Sequence, residues 1–231
     1  MHDRKITIAL NVSRARLQVI GFILTIDIFA LGIFLSSTDR HFSLQILTGL
    51  NVFFSIVASL SVGTVSAILM LLSERLDSEG KSDVTIFAIG EMTMYVAIVQ
   101  TIGGIFAGFI VLFHVSLGET TFTAAGVNTT TAELLQASES FQTMVYWMIA
   151  LLWAFIAYVA PAWSLYRMPD TRQRKFLYFG YYVILTSLVF ALSAHALHIE
   201  LLARGESIGV LRLFLQNFWA PGFWSGIVAA P

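Results

Sequence analysis

The sequence predicts an all-α integral membrane protein with five transmembrane helices. Of its 231 residues, 57% are hydrophobic and only 12% are charged, whereas a soluble domain carries about 25% charged residues. A helix needs about 20 mostly apolar residues to cross a bilayer core of roughly 30 Å. Five stretches meet this requirement, namely residues 17–35, 44–72, 84–113, 141–166 and 176–197. The lipid bilayer is therefore the expected surrounding of the chain.

The charge balance and the lack of cysteine exclude several classes of protein. Thirteen Lys and Arg against fourteen Asp and Glu give a net charge of −1, so we expect no nucleic-acid partner. A chain with no cysteine has no disulfide, no thiolate metal site and no iron–sulfur cluster. A haem or metal cofactor would need His, Met or carboxylate ligands, and the composition does not decide whether one is bound.

The basic residues predict the orientation of the chain in a bacterial inner membrane or a plasma membrane. Five spans with a cytoplasmic N-terminus place ten of the thirteen Lys and Arg on the inner side: Arg4, Lys5, Arg14, Arg16, Arg75, Lys81, Arg167, Arg172, Arg174 and Lys175. Only Arg40, Arg204 and Arg212 then lie outside. This excess is typical of cytoplasmic loops. The predicted order is a cytoplasmic basic segment (1–16), a five-span bundle (17–200) with an outer loop (115–140), and an outer C-terminal segment (201–231).

The second, third and fourth apolar stretches have features of their own. The second and third exceed the bilayer core in length and predict a long helical hairpin; the uncharged part of the third is 92–113, which places Glu91 at the membrane surface. Gly104 and Gly108 in the third stretch predict close helix packing, within the bundle or between subunits. Trp147 and Trp163 lie near the two ends of the fourth stretch. At about 1.5 Å per residue they are roughly 24 Å apart along a helix, as expected for aromatic residues at the two membrane surfaces.

The C-terminal segment, residues 201–231, is predicted to be amphipathic and to lie on the outer membrane surface. Its most apolar part, 210–228, is interrupted by Arg212, Gln216, Asn217 and Pro221. Gly209, Arg212 and Gln216 follow steps of three and four residues and therefore share one side of a helix. The alternative is a partial sixth span.

Asp27 is the most informative single residue. It lies ten residues after Leu17, about 15 Å into the membrane, where an Asp costs roughly 2.5–3.5 kcal/mol on insertion scales. Such a side chain faces protein or water rather than lipid. Two interpretations stay open: a carboxyl that handles an ion or a proton, and a neutral acid that is hydrogen-bonded to a neighbouring helix.

Polar residues at similar depth extend the hypothesis. The polar residues of the second stretch recur mostly at steps of three or four and share a face. The predicted ion or proton path consists of Asp27, Asn51, Ser55, Ser59, Gln100 and Thr186. The same stripe is equally compatible with a hydrogen-bonded seam between packed helices, which is the commoner arrangement in membranes.

Four histidines fall on the predicted outer side: His41, His114, His195 and His198. Imidazoles from three elements at one depth can bind a metal ion or a haem iron. Histidine is also common at membrane interfaces without any ligand, so both interpretations stay open.

Three functions fit these patterns. The first is an ion- or proton-conducting subunit of a channel or transporter, centred on Asp27. The second is a non-catalytic anchor or assembly subunit of a larger complex, and the third is a redox subunit with a histidine-ligated haem or metal. We find no catalytic motif in the sequence. Because five spans enclose only a narrow bundle, we expect a homo-oligomer or a subunit of a membrane complex.

Overall fold

The computed structural model describes the backbone of residues 2–36, 50–81, 83–119, 148, 151–203, 205 and 207–219. Side chains are described for residues 12–35, 50–81, 83–104, 148, 151–203, 205 and 207–215. Within these ranges the chain is helical and contains no strand. The predicted all-α fold is confirmed for this part of the molecule.

Four helices of the described chain are long and apolar enough to cross a membrane. They are α1 (His2–Ser36), α2 (Leu50–Ser78), α3 (Val84–Glu119) and α5 (Arg172–Ala203). In α1 the basic N-terminal residues continue the helix without a break. A multi-pass membrane protein is thereby confirmed. The predicted fourth span, 141–166, is helical at 148 and from 151 onwards, and its remaining residues lie outside the described ranges.

Helices α1 and α2 pack antiparallel. The residue numbers rise along α1 while those of their partners fall along α2: Arg14 contacts Glu74, Asp27 contacts Ser59, and Phe34 contacts Phe53. The first contact lies at the end of the bundle that carries the basic residues, and we call it the basic end. The ring contact between Phe34 and Phe53 lies at the opposite end, with the centroids 6.0 Å apart.

Helices α2 and α3 form the hairpin at the centre of the bundle. Buried positions of α2 recur at alternating steps of four and three residues: Val52, Ile56, Ser59, Gly63, Ser66, Met70, Ser73 and Asp77. This heptad spacing keeps one face of a helix against its partner. Many of these residues are small, and the backbones approach closely as a result. A Cβ added to Gly104 of α3 would lie 3.0 Å from the Cβ of Ser55.

Helix α5 packs against both helices of this hairpin, whereas none of its described residues contacts α1. It runs parallel to α3, since Tyr178 contacts Thr85 and Tyr181 contacts Thr93. A short helix, α6 (Val210–Trp219), follows α5 and packs back on it, and its Leu213 is buried. Ten residues rise only about 15 Å, half of the bilayer core. The interfacial placement of α6 stays a prediction, and residues 220–231 lie outside the described ranges.

The link at the start of α5 is held by polar contacts at the basic end. The Tyr178 hydroxyl donates to Asp170 Oδ2 at 2.8 Å. This bond, together with the backbone N–H of Thr171, holds the pKa of Asp170 below its usual range. Lys175 Nζ donates to the carbonyl of Tyr166 at 2.9 Å, which ties α5 to the helix before it.

That preceding helix contains a π-helical turn, Phe155–Val159, followed by α4 (Ala160–Arg167). Pro161 lacks a backbone N–H, so the carbonyl of Ala157, four residues earlier, loses its α-helical partner. The Tyr182 hydroxyl of α5 donates to this carbonyl at 2.7 Å. Ala157 and Tyr182 are both buried. The tyrosine thus replaces a missing backbone bond and joins α5 to the fourth helical segment.

We expect Tyr182→Phe to lower the free energy of unfolding by about 1–3 kcal/mol, because a buried carbonyl loses its donor. Unfolding of the purified chain in detergent, followed by circular dichroism, measures this loss. Tyr166→Phe is the matched control: its side chain is 76% exposed, and we expect a change within about 0.5 kcal/mol. Equal stability of Tyr182→Phe and the unmodified chain would contradict the role of this bond.

Candidate functional site

Asp27 lies on the face of α1 that is buried against the hairpin. Ile20, Ile23 and Asp27 follow steps of three and four residues, and all three are buried. The side chain of Asp27 has no solvent-exposed surface. The position of Asp27 on this buried face of α1 therefore directs the carboxyl into the junction of α1, α2 and α3 instead of towards lipid.

Four oxygen atoms from three helices meet at this junction. Ser59 Oγ of α2 donates to Asp27 Oδ2 at 2.6 Å, and Thr101 Oγ1 of α3 donates to the same oxygen at 3.2 Å. The two hydroxyl oxygens are 2.6 Å apart, and either can be the donor. Ala97 O lies 3.0 Å from Ser59 Oγ and 3.1 Å from Thr101 Oγ1. We call this group the oxygen cluster: Asp27 Oδ2, Ser59 Oγ, Thr101 Oγ1 and Ala97 O.

The second carboxyl oxygen, Asp27 Oδ1, is buried and has no hydrogen-bond partner among the described residues. None of the ion pairs in the described part of the chain includes Asp27. Leaving a buried acceptor without a donor costs about 1–3 kcal/mol. The carboxyl is therefore placed where a proton or a cation would stabilise it.

The other predicted path residues lie elsewhere in the bundle. Ser55 packs against Gly104, and the Thr186 hydroxyl donates to Tyr182 O of its own helix at 2.7 Å. Gln100 is buried but precedes Thr101 by one residue, which turns it about 100° away on the helix. Asn51 lies at the end opposite to the basic end, where its N–H donates to Glu200 Oε2 at 3.2 Å. Direct contact with Asp27 is made by Ser59 alone of the residues named from sequence.

Thr101 is the member of the oxygen cluster that sequence reasoning missed. It lies four residues after Ala97 and three before Gly104, so the three share the face of α3 that meets α2. Gly104 is a predicted packing position, and its spacing to Thr101 therefore indicates that Thr101 faces α2 as well. Gln100 shares the depth of Asp27, but the rotation of the helix turns its side chain away from the carboxyl.

Ser59 and Ser66 identify the polar face of α2 as a packed seam. Ser59 Oγ lies within hydrogen-bonding distance of Ala97 O, and Ser66 Oγ donates to Gly90 O at 2.7 Å. Each serine reaches a backbone carbonyl of α3 and is buried. Around these two residues the stripe is an interhelical contact, with Asp27 entering it from α1.

The predicted histidine site is only partly described. His195 is exposed, and His198 Nδ1 lies 2.7 Å from the carbonyl of Ile208 in the turn before α6. His41 and the side chain of His114 lie outside the described residues. Among the described residues, no three His, Asp or Glu side chains are grouped so that they could hold a metal ion. A haem or metal at these histidines stays a prediction.

A second buried polar contact lies nearer the basic end. Arg16 Nη2 of α1 is 2.5 Å from Glu91 Oε1 of α3, and the glutamate side chain is only 2% exposed. The glutamate is thus buried between helices, and its predicted depth at the membrane surface stays a prediction. Arg16 Nε is also buried and has no hydrogen-bond partner within the described part of the chain. This ion pair fixes α1 to α3, as the oxygen cluster does further along the helix.

The chain has no match among protein-family models, curated proteins or solved structures.

We expect Glu91→Gln to lower the free energy of unfolding by roughly 3 kcal/mol, because breaking a buried ion pair leaves an unpaired charge. This is the low end of the usual range, since Arg16 keeps 35% of its side chain exposed. Chemical unfolding in mixed micelles measures the change. Glu74→Gln is the control: its partner Arg14 is 66% exposed, and the expected loss is below about 1 kcal/mol. Equal losses for the two variants would contradict the assignment.

Proposed function

We propose that this chain is an ion- or proton-conducting subunit of a membrane channel or transporter, with Asp27 as its ion-binding group. One observation carries the proposal: the carboxyl is fully buried where three helices meet, and one of its oxygens has no partner among the described residues. An apolar residue would pack the same junction at no electrostatic cost. Acids inside a membrane protein are retained mostly where they bind or move ions.

The construction of the site suits reversible binding. The oxygen cluster draws on all three helices, so a displacement of α1 against the α2–α3 hairpin changes all contacts of the carboxyl together. The interface between α1 and the hairpin contains two polar anchors along its length, the oxygen cluster and the Arg16–Glu91 pair. Movement of α1 about the ion pair would open the cluster while keeping the bundle assembled.

Five spans and a cytoplasmic N-terminus belong to the same proposal. Helices α3 and α5 run parallel, which supports a chain that returns across the membrane between them, and the helical segment at 151–167 supports a fifth span in that link. Arg14, Arg75, Lys81 and Arg172 lie at the basic end, which the positive-inside rule places in the cytoplasm of a bacterial inner or plasma membrane. The chain then works as a homo-oligomer or a complex subunit with its C-terminus outside.

The alternative is a non-catalytic anchor or assembly subunit. It is favoured by the packed seam of α2, in which Ser59 and Ser66 contact carbonyls of α3 and Asp27 would serve only to fix α1. A redox subunit with a haem or metal depends on His41 and His114, which lie outside the described side chains.

Flux through proteoliposomes tests the proposal. We expect the purified chain to conduct protons or monovalent cations, and Asp27→Asn to reduce that flux at least tenfold while the protein keeps its helicity and oligomeric state. Ser61→Ala is the matched control, because Ser61 is exposed on α2 and its hydroxyl donates to Val57 O of the same helix.

An unchanged flux in Asp27→Asn would reject Asp27 as the ion-binding group. Flux at the level of empty vesicles, with a stoichiometric partner protein that survives purification from the native membrane, would favour the assembly subunit.

A further inference from the structure

We infer that the ion bound at Asp27 is a proton, and that Ser59 and Thr101 form a hydrogen-bond chain that reverses direction when this proton binds or leaves. The inference rests on the proposed function and specifies its ion. It follows from the geometry of the oxygen cluster and from a count of the hydrogen atoms that are available to it.

The oxygen cluster has more close contacts than hydrogens. Five oxygen–oxygen contacts of 2.6–3.2 Å connect Asp27 Oδ2, Ser59 Oγ, Thr101 Oγ1 and Ala97 O. A serine or threonine hydroxyl supplies one hydrogen, and an ionised carboxylate or a carbonyl supplies none. Two hydrogens therefore serve five contacts when Asp27 is ionised. A close contact between two acceptor oxygens that have no hydrogen between them is unfavourable, and an added proton supplies the cluster with a further donor.

One added proton completes a continuous chain of donors. Asp27 Oδ2–H donates to Ser59 Oγ, the Ser59 hydroxyl donates to Thr101 Oγ1, and the Thr101 hydroxyl donates to Ala97 O. The first two bonds are the two shortest contacts of the cluster, both 2.6 Å, and the third is 3.1 Å. Each of the three hydrogens then has an acceptor, and each hydroxyl acts once as donor and once as acceptor.

Loss of the proton reverses the chain without moving the oxygens. The Thr101 hydroxyl turns to donate to Ser59 Oγ, and the Ser59 hydroxyl turns to donate to Asp27 Oδ2, so the same two 2.6 Å contacts are used again. Ala97 O keeps its helical backbone bond. The reaction is a plain proton transfer: a carboxylate and a hydronium ion give a carboxylic acid and water, and the reverse step returns the proton to water.

The spacing of the oxygens favours a proton over a metal cation. The oxygen ligands of a cation the size of Ca²⁺ lie about 2.4 Å from the ion and, at right angles, about 3.4 Å from each other. The contacts of the cluster are all shorter, at 2.6–3.2 Å. The oxygens touch one another as hydrogen-bonded groups do, which leaves no space between them for an ion of that size.

The surroundings leave Asp27 as the titratable group of the junction. Helix α2 has no titratable side chain between Leu50 and Ser73. Among the described side chains of α3, the titratable ones are Glu91 and Tyr95. Glu91 precedes Ala97 by six residues, about 9 Å along the helix, and is paired with Arg16. On α1 itself, Arg14 and Arg16 are the other charged residues with described side chains, and both contact glutamates at the basic end.

Infrared difference spectroscopy of the full chain in lipid tests the inference while the pH is changed. Lowering the pH is expected to produce a carbonyl-stretching band of a protonated carboxyl that is absent in Asp27→Asn. Ser59→Ala and Thr101→Val are each expected to shift this band, because each breaks the chain of donors that polarises the carboxyl. Thr101→Ser restores the hydroxyl and is expected to restore the band position, and Ser61→Ala is expected to leave it unchanged.

A band that is insensitive to both Ser59→Ala and Thr101→Val would overturn the relay, as would a band displaced by sodium chloride but not by choline chloride at constant pH. Failure of the inference is distinct from failure of the proposed function. Asp27-dependent flux with an insensitive band rejects the relay alone, whereas a band that behaves as expected in a chain without flux supports proton binding and rejects conduction.

Discussion

The packing of α1 depends on one constraint: a carboxyl that is buried in an apolar bundle must find hydrogen-bonding partners. Asp27 finds them on two different helices, Ser59 of α2 and Thr101 of α3. Any other rotation of α1 would expose the carboxyl to lipid or separate it from one of these hydroxyls, at a cost of several kcal/mol. The same contact therefore fixes the rotation and the register of α1 against the hairpin, and it places an ionisable group at the centre of the molecule.

Backbone carbonyls elsewhere in the bundle obey the same rule. The carbonyl of Gly90 receives a hydroxyl from Ser66, and that of Ala157, released by Pro161, receives the hydroxyl of Tyr182. Without water in the hydrocarbon core, polar groups are satisfied within the protein, and short hydroxyl side chains meet this need while letting helices approach. Asp27 departs from the rule, because one of its oxygens is left without a partner among the described residues. Ser13 Oγ, Arg16 Nε, Glu91 Oε1 and Ser193 Oγ share that departure, but the two serines are neutral, and Arg16 and Glu91 form an ion pair. A function is assigned to Asp27 because its buried carboxyl has no charge partner among the described residues and one of its oxygens has no donor there.

The spans and the central carboxyl were predictable from sequence, whereas most partners were not. Hydropathy locates the long helices, and depth alone pairs Asp27 with Ser59, because both lie near the middle of an apolar stretch. Thr101 and Gln100 share that depth, and the rotation of α3 about its axis decides which of the two side chains faces Asp27. That rotation depends on the packing of α3 against the neighbouring helices. Glu91 is buried against Arg16, which is 75 residues away in the sequence, so local patterning does not indicate this partner. Local chemistry carried one further signal: Pro161 frees a carbonyl and thereby explains the bond from Tyr182.

A double-mutant cycle between Asp27 and Ser59 tests the central contact most directly. Unfolding free energies in mixed micelles are measured for Asp27→Leu, Ser59→Ala and the double variant, with Asp27→Leu and Ser61→Ala as the reference cycle. The contact predicts that the effects at Asp27 and Ser59 are non-additive, with a coupling of about 0.5–3 kcal/mol, whereas the reference cycle is additive to within about 0.5 kcal/mol. Additive effects in both cycles would show that Ser59 does not bind the carboxyl, and would contradict the junction on which the proposed function depends.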